Sequence, residues 1–91
     1  MLTIKFSRKM SRDVERMRKR GKDIEKLIAI LDQLARCEPL PAYNKDHALL
    51  GGRFKGSREC HIEPDWLLLY KIINNELVLY ATDTGTHSDL F

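Results

Sequence analysis

The run Trp66-Leu67-Leu68-Leu69-Tyr70 constrains the fold most. Nearly continuous apolar sequence of this length fits a central strand covered on both faces, not a half-exposed one. The strand extends over Trp66 to Ile73, with Arg53 to Ile62 before it and Glu76 to Thr82 after it as its neighbours. Asn74-Asn75 suits a two-residue hairpin turn, because asparagine tolerates positive φ. At the other end Pro64 presets φ for the second position of a β-turn and Asp65 suits the third. His61 and Asp65 should therefore face each other across a hairpin mouth.

The N-terminal half has a different period. Leu2, Ile4 and Phe6 alternate with polar residues, as in a half-buried strand. Ser7 can cap a helix whose narrow apolar stripe is Met10, Val14 and Met17, and Gly21 ends it. Asp23 caps a second helix, in which Ile24, Leu27, Ile28, Leu31, Leu34 and Ala35 form a broad apolar face running to about Cys37. The expected order is β-α-α-β-β-β, a small α+β fold of one domain over residues 1–91. An antiparallel helix pair would lie on one face of a mainly antiparallel sheet. Glu38 to Gly52 is a long loop carrying Tyr43, Lys45, Asp46 and His47, and loops of this length in small domains tend to be functional.

Charge is concentrated in the first helix. Between Arg8 and Lys22 eight basic residues stand against two acidic ones, so this segment is +6 and the rest of the +3 chain is −3. A stripe of that density, with Arg8, Lys9, Arg12, Arg16 and Lys19 along it, suits a polyanion or an acidic protein. It also suits a merely solvated helix face. No apolar run approaches the roughly 18 residues of a membrane span, and the N-terminus has no signal-peptide core, so a cytoplasmic protein is expected. Cys37 and Cys60 form no disulfide framework and read as buried or half-buried thiols. There is no phosphate-binding glycine loop, nucleophile elbow or CxxC pair. His47, His61, His87 and Asp65 are of types that ligate zinc, but their spacings match no local zinc pattern. No metal or other cofactor is expected.

Without metal, such residues can cleave RNA. A base takes the proton of a ribose 2′-hydroxyl, the oxygen attacks the adjacent phosphate, and an acid protonates the departing 5′-oxygen. Imidazoles titrate near neutrality and suit both roles, while Asp65 could orient a histidine or act as base itself. Lys45, Arg53, Lys55 and Arg58 could offset phosphate charge, and Tyr43, Trp66 and Phe91 could stack on bases.

Three blocks then carry a resemblance. Lys45-Asp46-His47-Ala48-Leu49, Lys55 to Trp66 and Thr84-Gly85-Thr86-His87-Ser88-Asp89-Leu90-Phe91 resemble the signature blocks of the YafQ branch of the RelE toxin superfamily. The basic first helix and Glu38-Pro39-Leu40-Pro41 extend the match over nearly the whole chain. The resemblance implies a bacterial type II toxin, an mRNA endoribonuclease that enters the ribosomal A site, works without a metal cofactor and is neutralised by a cognate antitoxin. It assigns His47, His61, Asp65 and His87 to acid-base and substrate-positioning roles. His87 would be the proton donor, with Asp65 and His61 as candidates for base or for orienting the ribose. Phe91 would pack against the substrate base, and the helix stripe would contact ribosomal RNA. Many relatives carry arginine just before the Thr-Gly-Thr-His block, where this chain has Asp83, whose carboxylate would repel the phosphate. The same fold also serves ParE-type gyrase poisons, so the alternative is a toxin acting only by binding, either a gyrase-type poison or a degenerate toxin that Asp83 has silenced and that still binds its antitoxin.

Overall fold

In the computed structural model, which describes residues 1–91, the apolar run forms the middle of a five-stranded mixed sheet. The elements are β1 (Thr3–Phe6), α1 (Arg8–Lys19), α2 (Ile24–Ala35), β2 (His47–Ala48), β3 (Arg58–Glu63), β4 (Trp66–Ile73), β5 (Val78–Gly85) and α3 (His87–Leu90). The strand order is β1-β5-β4-β3-β2. Every pairing is antiparallel except that of β1 with β5. Alternation along β4 divides the core between the two faces. Trp66, Leu68 and Tyr70 pack under both helices with Met10, Met17, Leu27, Leu31, Leu34, Cys60 and Leu79. Leu67 and Leu69 point to the opposite face and are covered by Leu90, Leu49 and Phe54. No helix is long and apolar enough to cross a membrane.

Local chemistry explains the helix boundaries. Ser7 Oγ accepts from the Met10 amide (2.9 Å) and Asp23 Oδ1 from the Glu25 amide (3.0 Å), which satisfies donors that a first turn leaves free. α2 buries Leu27, Ile30, Leu31, Leu34 and Ala35. Ile28, expected inside, is half exposed because the packed stripe includes Ile30 instead. The helix closes on Cys37 in left-handed conformation (φ 60°). That thiol is exposed, contrary to expectation, while Cys60 is buried and its thiol pushed up to about 12 by burial.

Several strand limits differ from expectation. Residues 53–57 are not strand: a turn of 3-10 helix at Gly52–Phe54 and Gly56 at φ +90° fold this segment over the sheet. β5 begins at Val78 and runs on to Gly85, since Asn74–Glu76 form a 3-10 turn closed by Leu77 in left-handed conformation. β1 is an edge strand, so Ile4 and Phe6 remain about two-fifths exposed, and Leu2 alone of the three is buried.

The turn after β3 is fixed to α2. Glu63 accepts from Lys22 (2.8 Å) and Lys26 (2.9 Å), which hold its carboxyl below the ordinary range. A depressed carboxyl contributes stability above its unfolded value near about 4, and that contribution is lost as pH falls through the lower folded value. The melting temperature should therefore fall steadily below about pH 5. Glu63→Gln should start lower and show a shallower fall; a wild-type melting temperature unchanged down to pH 3 would contradict this.

Candidate active site

One row of register partners assembles the site. His61 on β3 pairs with Leu67 on β4, which pairs with Gly85 at the end of β5. After Gly85, Thr86 caps α3 with a reciprocal capping box to Asp89, and the helix begins at His87. The His61 and His87 rings come to 5.7 Å between centroids at 61°. A second row, His47 to Glu59 to Leu69, brings a third imidazole alongside.

Each imidazole has a carboxylate. Asp65 Oδ1 accepts from the His87 amide (3.0 Å) and lies 2.7 Å from His87 Nδ1. These two hydrogen bonds hold the Asp65 carboxyl below its usual range. An ionised carboxylate only accepts, so Nδ1 of His87 carries its proton and Nε2 is left for other work. Asp65 thus pairs with His87; His61 Nδ1 instead faces the Pro64 carbonyl at 3.3 Å. Glu59, buried in the sheet, lies between the other two histidines, 3.3 Å from His47 Nε2 and 3.7 Å from His61 Nε2. His47 Nδ1 meets the Lys45 carbonyl at 2.7 Å.

Glu59 is absent from the sequence-derived candidates. The available signal was its i, i+2 spacing from His61 on one strand, which puts both side chains on one face. Glu59→Gln should lower the rate of any reaction that uses His61 or His47 about 10-fold or more, the size expected when a reacting group loses its orientation. Single-turnover kinetics would check this, and an unchanged rate would remove Glu59 from the site.

The other candidates divide. Lys45 and Tyr43 border a small cleft next to His61 and Pro64. Phe91 lies edge-on to Phe54 (5.3 Å) and 6.5 Å from the His87 ring. The Arg53 guanidinium covers Phe54 at 4.8 Å and donates to the Leu90 carbonyl (3.3 Å). With Leu49, Leu50 and Leu90 these three line an apolar cleft of about 510 Å³ beside the histidines. Lys55 is exposed in the same segment.

Two expectations fail on strand alternation. Trp66 is fully buried on the helix side, with Nε1 donating to Thr84 Oγ1 (2.9 Å), and cannot stack on a base. Arg58 shares the face of Cys60, opposite Glu59 and His61, and is engaged by Asp46 and Tyr70. Of the basic stripe, Lys9 is bound to Asp13 and Asp83, and Arg16 to Asp13 and the Thr84 carbonyl. Arg8, Arg12 and Lys19 are exposed. Asp83 is buried with Lys9 Nζ at 3.0 Å, so that ammonium, not a substrate phosphate, meets its charge.

Known proteins match over nearly the whole chain. A family described as the YafQ bacterial toxin of type II toxin-antitoxin systems matches residues 2–91. The mRNA interferase toxin YafQ of Escherichia coli K12 is 44% identical over 89 residues, covering 97% of this chain and 94% of that protein. A metal-bound toxin from Helicobacter pylori superposes with a TM-score of 0.93 at 42% identity, with both chains covered completely. The toxin of the E. coli DinJ-YafQ complex gives 0.87 at 41% identity, covering 100% of this chain and 99% of that one.

Proposed function

The chain belongs to the YafQ family of type II toxin-antitoxin toxins, and we propose that it cleaves messenger RNA on the translating ribosome by acid-base catalysis. A cognate antitoxin would hold it inactive, as the DinJ-YafQ complex suggests by analogy. The observation that carries the catalytic reading is the pair of imidazoles 5.7 Å apart, His87 held by Asp65 and His61 near the Glu59 that it shares with His47.

His61 Nδ1 faces the Pro64 carbonyl, which only accepts, so its Nε2, near Glu59, keeps the lone pair and serves as the base. It takes the 2′-hydroxyl proton as that oxygen attacks phosphorus. The bond to the 5′-oxygen breaks and His87 Nε2 supplies the proton, leaving a 2′,3′-cyclic phosphate and a 5′-hydroxyl. Asp65 stabilises the imidazolium of His87 before transfer. Lys45 and Arg53 flank the site and would offset charge on the phosphate, while Phe91 would pack against a base. The exposed Arg8, Arg12 and Lys19 would meet ribosomal RNA phosphates, making binding salt-sensitive. A solved relative contains metal. Here no group of three or more His, Cys, Asp or Glu side chains has the geometry to hold an ion.

Primer extension on a defined message, with and without translating ribosomes, tests the proposal. Stops are expected only with ribosomes. Equal cutting of free RNA would overturn ribosome dependence. An intact message in both samples would overturn catalysis and favour a toxin that acts by binding alone.

A further inference from the structure

α3 is a single turn, too short to hold itself in place, yet it carries His87 at its first position and leads directly to Phe91. Its position must come from anchors. Leu90 packs on Leu67 and Leu69, and Asp65 holds the His87 amide. A third anchor crosses from the C-terminal end of α1. Arg20 donates from both terminal nitrogens to the two oxygens of Asp89, at 2.6 and 3.1 Å. Behind it, Arg16 Nε is 3.9 Å from Asp89 Oδ2 and buried without a hydrogen-bond partner, while its Nη2 donates to the Thr84 carbonyl. The packing is close: a Cβ on Gly85 would lie 2.9 Å from Asp89 Cβ and 3.0 Å from Arg16 Nη2.

We infer that Arg20, backed by Arg16, is a positioning residue for His87, its two-point hold on Asp89 fixing the turn that sets His87 against Asp65. The basic end of α1 thereby serves the toxin's own catalytic group. This rests on the catalytic reading above. A planar guanidinium gripping both carboxylate oxygens restrains rotation of the turn, which a single contact would not. The Arg20 hydrogen bonds also hold the Asp89 carboxyl far below its usual range, so the pair stays ionised at neutral pH. The competing role is a direct RNA contact, because Arg20 also borders a groove with Arg12, Lys19 and Glu15.

Single-turnover cleavage on programmed ribosomes separates the two roles. Arg20→Ala should lower the maximal rate about 10-fold with little change in the concentration giving half-maximal rate, and Arg20→Lys should recover part of it. In a His87→Gln background, Arg20→Ala should change the residual rate less than about 2-fold, since the group it positions is gone. A raised half-maximal concentration at unchanged maximal rate, or the same loss in both backgrounds, would overturn the inference. Hydrogen exchange of the His87 amide needs no cleavage. It should speed up about 10-fold in Arg20→Ala, and an unchanged rate would overturn the inference even if the wild-type chain proved inactive.

Discussion

Replacing His87 with alanine should reduce message cleavage about 10²- to 10⁴-fold, the range a positioned general acid contributes. Stability should barely change. The side chain is about half exposed, and the hydrogen bond to Asp65 that it shares with the backbone amide survives in part, because the amide remains. His87→Gln should lose nearly as much, since an amide can still meet Asp65 but cannot deliver a proton to the leaving oxygen. Asp65→Asn should cost less, because it weakens the hold on the imidazole without removing it. Single-turnover rates with the three variants beside melting curves would check the order. A loss under about 10-fold for His87→Ala would mean that another group supplies the proton.

The second large effect falls on the fold. Trp66→Ala should cost about 3–5 kcal/mol of unfolding free energy, as removal of a fully buried tryptophan does, against a total of only about 5–15 kcal/mol for a domain of this kind. Trp66 lies at the centre of the helix-side core, and its indole nitrogen is satisfied by Thr84. Trp66→Phe should cost far less, because it keeps an aromatic ring in place and Thr84 Oγ1 still donates to the Leu67 carbonyl (2.6 Å). Urea unfolding of both variants measures this. Unchanged stability with weaker RNA binding would instead make Trp66 a stacking platform and contradict its burial.

Much of this was legible in the sequence for physical reasons. A five-residue apolar run admits little except a central strand, and Ser7 and Asp23 cap where their short polar side chains suit a helix start. His61, Asp65 and His87 converge because a tight turn and the strand next to it bring them to the same end of the sheet. What escaped depended on register. Residues 53–57 read as the start of β3, but Gly52 before them and Gly56 within them adopt positive φ and turn the segment aside. Arg58 and Glu59 are neighbours in sequence and lie on opposite faces, so the charge expected of one is absent from the site and the carboxylate of the other is present. Asp65 meets His87 and not His61, and the pairing of β3 with β4 shifts register between His61 and Glu63, local geometry that composition does not encode. Lys9 and Arg16 read as surface charge only until the buried Asp13 and Asp83 beneath them are placed.

In the proposed reaction a ribose hydroxyl, activated by one imidazole and completed by the other, cuts the message. The most direct measurement uses programmed ribosomes carrying a message with a single 2′-deoxynucleotide on the 5′ side of the scissile bond, beside its all-ribose counterpart. The all-ribose message should be cut, leaving a 2′,3′-cyclic phosphate and a 5′-hydroxyl, and the deoxy-substituted message should survive at that position. Cutting of the deoxy-substituted message at the same bond, or 5′-phosphate ends on the products, would show that water attacks phosphorus and would contradict the proposed reaction.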